Sequence, residues 1–268
     1  MVKSISIVYM IVSLILSIGV PIIVTIYCYK KYKISFRNIL VGAGIFILFA
    51  MVLERSMHIY FLKTNFNTSI ILDSNPWIYA IYGAFAAGIF EETGRFLGFK
   101  FLLKGRTQKK DGIAYGIGHG GIEAILIGGI SVVQSLYFSF LINSGGLNNA
   151  LGSKLSKTIL DQISSSLINT VPYMFLISGL ERLFAFSIQI GLSLVVLYAV
   201  KSRKYRYLFY AVLIHALIDF PAALFQKGVI PNVWIIEGMC AVFAVGSYIF
   251  IKNYDKIFKN KEYIGGMD

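Results

Sequence analysis

Seven ionisable side chains stand inside otherwise apolar stretches of this sequence: Glu91, Glu92, Arg95, His119, Glu123, His215 and Asp219. An ionisable group in the hydrocarbon core of a membrane costs about 2.5–3.5 kcal/mol or more, and it usually faces a bundle interior or a water-filled cavity. Each of the two histidines is followed four residues later by a carboxylate, so a helix presents the imidazole and the carboxylate on one face. These residues form the candidate functional site.

The acidic pair Glu91-Glu92 precedes Arg95 by four and three residues. Both spacings place a carboxylate on the same helical face as the guanidinium. We therefore expect at least one carboxylate to pair with Arg95, which leaves the other free for chemistry.

Two histidines with nearby carboxylates from different helices suit zinc, whose tetrahedral shell accepts both and leaves a position for water. The predicted ligands are His119, Glu123, His215 and Asp219, around Zn²⁺. A separate glutamate could take the proton of a water that attacks a carbonyl, so the composition favours metal-assisted hydrolysis. The one-helix zinc motif HExxH is absent from the sequence. The alternative is a non-enzymatic transporter or an immunity or binding protein that uses the same groups for packing, protons or cations.

Helical rise places the key groups at one depth. Glu91, His119 and His215 each lie nine residues from a basic residue at the predicted cytoplasmic edge, or ~13 Å. Glu123 and Asp219 come one turn deeper. Three segments far apart in sequence are thus expected to meet at one level.

Two neutral features accompany these charges. Gln189 lies 12 residues from Lys201, or ~18 Å, where it could bond a substrate carbonyl or be a packed polar residue. Gly116, Gly118 and Gly120 surround His119, and their absent side chains favour close packing of helices.

The composition defines the elements that must hold the site. The 268 residues are 57% hydrophobic and 14% charged, with a mean hydropathy of +0.72. Soluble domains carry about 25% charged residues, so a soluble enzyme, a disordered tail and a disulfide scaffold are excluded. The sequence predicts an all-α, polytopic helix bundle in contact with the lipid bilayer, forming a single integral membrane domain over residues 1–268.

Seven stretches are long enough to span a bilayer, which requires about 20 apolar residues. They cover residues 4–28, 36–53, 77–99, 112–142, 171–200, 207–225 and 231–251. Because 17 of the 25 basic residues fall on the side of the C-terminus, that side is predicted to be cytoplasmic and the N-terminus outside. The net charge of +12 is then a topology signal, and no nucleic-acid partner is expected. Segment 143–170 is predicted to be an interfacial amphipathic helix or a lid.

The motifs resemble a known group of enzymes. Glu91-Glu92-x-x-Arg95, Tyr115-x-x-x-His119 and His215-x-x-x-Asp219 resemble the motifs of the CAAX prenyl endopeptidase and bacteriocin-processing superfamily of intramembrane proteases. Residues 90–95, residues 116–123 and the pair Glu181-Arg182 look more specifically like its bacterial YhfC-type branch of intramembrane metalloproteases. The resemblance covers roughly residues 75–225.

The resemblance implies an intramembrane endopeptidase of the bacterial plasma membrane that acts on membrane peptides or proteins. Glu91 would activate water, and His119 and His215 would bind metal or stabilise the oxyanion. Glu92 and Arg95 belong to the same catalytic set. Asp219 stands where the superfamily often has asparagine, and its added negative charge suits a metal shell better than an oxyanion hole.

Overall fold

The computed structural model describes residues 1–264, which contain ten helices and no strand. The helices are α1 Ser4–Tyr32, α2 Phe36–Thr64, α3 Phe66–Ser74, α4 Pro76–Leu97, α5 Lys109–Asn143, α6 Leu147–Leu151, α7 Lys157–Asn169, α8 Pro172–Ser202, α9 Arg206–Gln226 and α10 Val233–Ile264. Short π-helical turns interrupt α1, α2 and α5, and another, Gly98–Leu102, extends α4. The all-α prediction is confirmed. Residues 265–268 of the predicted domain lie outside the described residues.

Six helices within residues 1–264 are long and apolar enough to cross a bilayer, namely α1, α2, α5, α8, α9 and α10. The chain is therefore a multi-pass membrane protein. Helix α4 has 22 residues and is not among the six, because it carries Glu91, Glu92 and Arg95. Its outer face is nevertheless apolar and exposed at Ile81 and Ile89. The seventh span and the orientation of the termini stay predictions.

Two regions differ from the predicted elements. Helix α2 continues to Thr64, well beyond the predicted end at residue 53, and α3 follows directly. The Asn65 side chain begins α3 by accepting a bond from the Thr68 amide at 3.2 Å. In segment 143–170 the amphipathic helix occupies only Lys157–Asn169, since the Ser156 hydroxyl accepts a bond from the Ile159 amide and begins it there.

The described chain forms two compact units. The first comprises Met1–Val24 and Glu123–Leu183. Its buried apolar side chains come from α1, α5 and α7 and include Met10, Val132 and Leu167.

The second unit comprises Thr25–Ile122 and the chain from Phe184 onward. Within it α4 packs along α9. Gly88 permits this approach, because a Cβ added there would lie 2.8 Å from the Val212 carbonyl oxygen. The two helices that carry the acidic pair and His215 are thus held in direct backbone contact.

Glycines on α5 bring the helix that carries His119 equally close to its neighbours. A Cβ on Gly118 would lie 2.0 Å from the carbonyl oxygen of Ile39 on α2. On the side facing α8, a Cβ on Gly116 would meet backbone at 2.6 Å, and one on Gly120 would lie 2.9 Å from the Gln189 Cβ. The predicted role of these glycines in helix packing is confirmed.

Candidate active site

Four helices of the second unit contribute polar side chains to one cluster in its interior. Its members are Glu91, Glu92 and Arg95 on α4, His119 on α5, Gln189 and Ser193 on α8, and His215 and Asp219 on α9. All except Asp219 are buried. Segments separated by up to 128 positions in sequence therefore meet as the depth argument expected.

Glu92 is the carboxylate that pairs with Arg95. The Arg95 Nε lies 3.2 Å from Glu92 Oε2, and neither side chain is accessible. The other Glu92 oxygen lies 2.7 Å from Nδ1 of His215. Glu92 is thus occupied by a cation on one side and an imidazole on the other.

Glu91 is the carboxylate that remains for chemistry. Its Oε2 lies 2.9 Å from the His119 Nε2 and 3.9 Å from the His215 Nε2, and it accepts a bond from the Gln189 amide at 3.0 Å. Among residues 1–264, no side chain bonds the other oxygen, Oε1. One oxygen of Glu91 is therefore fixed by two hydrogen bonds, while the second accepts none from the described side chains.

Arg95 contacts three other members of the cluster besides Glu92. Its Nη1 donates to the Gln189 carbonyl at 2.7 Å and to the Ser193 hydroxyl at 2.8 Å. Its Nη2 donates to the Gln189 side-chain oxygen and lies 3.3 Å from the His119 Nε2. Both Nη atoms of the buried guanidinium are thus hydrogen-bonded, while Nε meets Glu92 only as an ion pair, without a hydrogen bond in the described part of the chain. The carboxylate compensates for the loss of water around this charge.

His119 faces two partners with opposite requirements. Its Nε2 contacts Arg95, which can only donate, and Glu91, which accepts when ionised. One nitrogen cannot satisfy both, because it either carries a proton or accepts one. The shorter contact favours donation to Glu91. The other nitrogen, Nδ1, is buried and has no hydrogen-bond partner in the described part of the chain.

His215 is oriented through its second nitrogen. Glu92 holds Nδ1, so Nε2 points towards Glu91 and lies 3.4 Å from Asp219. The His215–Asp219 pair expected from the helical spacing is therefore formed. The Asp219 side chain is 39% exposed, against 10% for Glu91 and 0% for His119, so the cluster opens on the side of Asp219.

Glu123 lies one helical turn after His119 on α5 and belongs to the first unit. There its carboxylate accepts a bond from Arg182 Nη1 at 3.3 Å, and Arg182 also pairs with Glu181. The spacing from His119 pointed to a metal ligand, but only the fold reveals this cationic partner.

The donor set fits a divalent cation. Glu91, His119 and His215 are buried residues of the second unit whose side chains can serve as metal ligands. A ligating histidine commonly gives its other ring nitrogen to a carboxylate, as His215 does with Glu92. With neutral imidazoles, the carboxylates of Glu91, Glu92 and Asp219 outweigh Arg95 by two charges, which one divalent cation would balance. Nitrogen and oxygen ligands of this kind suit zinc.

The fold and the cluster together define a multi-pass helical membrane protein with a buried carboxylate–imidazole centre. The chain belongs to the YhfC intramembrane metalloprotease family, whose model matches residues 16–240. It is 38% identical over 259 residues to a protein of Bacillus subtilis (strain 168) called uncharacterized membrane protein YhfC, covering 97% of this chain and 100% of that relative. No solved structure matches the chain. The resemblance read from the motifs is confirmed at the level of the family.

Proposed function

We propose that this protein hydrolyses peptide bonds of membrane-associated peptides or proteins, with Glu91 as the general base. The observation that carries the proposal is the state of Glu91: His119 and Gln189 bond one carboxylate oxygen, and the other accepts no bond from a described side chain. A general base must lie within hydrogen-bond reach of the proton that it removes. A water at Oε1 would meet this requirement.

The two histidines can serve the carbonyl that this water attacks. Glu92 fixes His215 through Nδ1, so its Nε2 is held towards Glu91. There it would bind a metal ion or, with the imidazole protonated and no ion bound, donate to the substrate oxygen. Donors that are oriented before the reaction stabilise developing negative charge without reorganisation. His119 completes the polar wall around Glu91, and the partial exposure of Asp219 indicates the side from which substrate enters.

A metal ion, for which we propose Zn²⁺, would be held by His119, His215 and Asp219. When bound, such an ion lowers the pKa of a coordinated water and polarises a carbonyl. Arg95 would keep Glu92 ionised and in place beneath His215. Glu91 would accept the proton, and Glu92 and Arg95 would hold His215 in place, whether or not that ion is bound.

Because the substrate is unknown, the test must search for it without bias. The purified protein would be reconstituted into liposomes with total bacterial membrane protein, and new peptide N-termini would be identified by mass spectrometry. Glu91→Gln is the inactive variant. Glu54→Gln is the matched control, since Glu54 is a buried carboxylate paired with a histidine outside the cluster.

We expect a set of new termini, in or beside membrane-spanning segments, from the wild type and from Glu54→Gln but not from Glu91→Gln. Identical termini from Glu91→Gln and wild type would refute Glu91 as the base. The same set from liposomes that contain the bacterial membrane proteins but not this protein would refute proteolysis by this protein and favour the transport alternative.

A further inference from the structure

We infer that Gln189 is a positioning residue that sets the orientation of the Glu91 carboxylate. The inference rests on the proposed function, because it assigns Gln189 a role through the proposed base. It concerns a neutral residue of α8, outside the three motifs that define the cluster in the sequence.

Gln189 touches both charged poles of the cluster at once. Its side-chain oxygen accepts a bond from Arg95 Nη2, and its side-chain nitrogen donates to Glu91 Oε2 at 3.0 Å. Its main-chain carbonyl accepts a second bond from Arg95 at 2.7 Å. One residue therefore bridges the buried cation of Arg95 and the Glu91 carboxylate, which is the proposed base.

The chemistry of the amide explains this bridge. A primary amide offers an acceptor and two donors, so its two ends can face a guanidinium and a carboxylate together. Arg95 determines which end is which, because an arginine can only donate. The amide nitrogen is thereby turned towards Glu91, and its bond to Oε2 leaves Oε1 without a bond from a described side chain.

The backbone holds Gln189 where the bridge requires it. A Cβ added to Gly120 on α5 would lie 2.9 Å from the Gln189 Cβ. A Cβ added to Gly116 would lie 2.6 Å from the Ile190 Cα. Ser193, one turn later on α8, accepts from Arg95 and donates to the Gln189 carbonyl. The side chain is 5% exposed, so its conformation is confined by packing.

Two substitutions separate the two ends of the amide. Gln189→Glu keeps an oxygen for Arg95 but replaces the donor to Glu91 with a second carboxylate oxygen. Gln189→Met removes both bonds at similar length. Ser187→Ala is the control, because the Ser187 hydroxyl on the same helix bonds the Ala244 carbonyl of α10 instead.

The first readout needs no substrate. The chain contains three histidines, so ¹⁵N-histidine labelling gives three pairs of ring signals, which single substitutions assign. In Gln189→Met we expect the signals of His119 and His215 to shift or broaden, because Glu91 loses its fixed orientation. The His58 signals should stay unchanged, as should all three pairs in Ser187→Ala. Unchanged His119 and His215 signals in a folded Gln189→Met protein would overturn the inference.

The second readout separates positioning from a purely structural bond to Arg95. A misplaced reacting group costs rate rather than binding, so we expect kcat to fall by about 10- to 100-fold in both Gln189 variants. KM should stay within about twofold. A Gln189→Glu protein with wild-type kcat would show that Gln189 only anchors Arg95, which overturns the inference. If Glu91→Gln also cleaves, the proposed function fails, while the histidine spectra still test Gln189.

Discussion

Two of the carboxylate–imidazole pairs in the second unit, Glu91–His119 and Glu54–His58, have nearly equal lengths, and they differ in what they leave unsatisfied. Glu91 and His119 lie 2.9 Å apart on two helices, whereas Glu54 and His58 lie 3.1 Å apart on consecutive turns of α2. Tyr82 binds the other ring nitrogen of His58 at 2.8 Å, so both nitrogens of that imidazole are occupied. His119 Nδ1 has no hydrogen-bond partner among the described residues.

The two environments differ as well. The His58 side chain is 29% exposed, so water reaches it, whereas His119 is fully buried between the Arg95 guanidinium and the Glu91 carboxylate. Desolvation makes the arrangement around His119 depend on every member of the cluster. A glutamate beside a histidine therefore becomes a candidate active site only where several helices converge and leave one oxygen free.

Removal of the base gives the largest expected difference between the two pairs. On a substrate identified as described above, Glu91→Gln should lower kcat by about 10²- to 10⁴-fold, the usual contribution of a general base. Glu54→Gln should retain nearly the wild-type rate, because its pair is closed. Initial rates in liposomes measure both. Comparable losses in the two variants would remove the functional distinction between the pairs.

Metal binding is the next largest contrast. We expect about one zinc per chain in detergent-purified protein and almost none in the His119→Ala, His215→Ala double variant, since each lost ligand weakens the site. His58→Ala should retain the metal. Elemental analysis by mass spectrometry gives the stoichiometry. Equal metal content in the double variant and in His58→Ala would contradict the proposed ligands.

The close contact between α4 and α9 can be tested by adding a single methyl group at Gly88. Gly88→Ala would push α4 from α9, and overpacking of this kind costs about 1–3 kcal/mol. Gly83→Ala on the same helix is the control, because its Cβ would meet no atom within 4 Å. Unfolding in detergent should show a lower free energy of unfolding for Gly88→Ala only. Equal stability of the two variants would show that α4 and α9 are not in tight contact.

The smallest expected effect concerns an exposed pair. Lys227 donates to Asp73 Oδ1 at 2.7 Å, and this bond and its positive charge lower the pKa of the Asp73 carboxyl below its ordinary value of 3.8. Because the folded pKa is the lower one, the pair stabilises the protein above about pH 4, and this contribution is lost as pH falls through the folded pKa.

Asp73→Asn should therefore lower the thermal midpoint slightly at pH 6 and not at all in acid. Salt should diminish the difference at pH 6, since the pair is solvent-exposed. Thermal scans from pH 6 to pH 3 provide the measurement. A difference that grows as pH falls would have the wrong sign for this pair.

Much of the fold and part of the cluster could be predicted because they depend on periodicity along single helices. Apolar length located the helices to within a few residues in most cases, and the failure at residues 54–64 arose because Glu54 and Arg55 end the apolar run without ending the helix. Spacing identified the His215–Asp219 pair and the pairing of Arg95 with one member of Glu91-Glu92.

Contacts between different helices were harder to predict from the sequence. Both spacings allow Arg95 to pair with Glu91 or Glu92, and the structure selects Glu92 because His215 approaches the same carboxylate. That Glu123 is a metal ligand, as its spacing from His119 indicated, stays a prediction, whereas its bond from Arg182 within the first unit could not be read from that spacing. Its depth along α8 placed Gln189 at the level of the cluster. Depth does not show which way the side chain points around the helix axis, so its contacts could not be predicted.

The sequence by itself determined a helical membrane protein, its family and the helices that carry its charges, because composition and a fixed helical rise are properties of each segment. The tertiary structure decided which carboxylate is neutralised, which keeps an open oxygen and which neutral residue joins them. Those choices depend on how each helix is rotated and how closely it approaches its neighbours, and contacts such as that of Gly88 with α9 establish both only after the helices have packed.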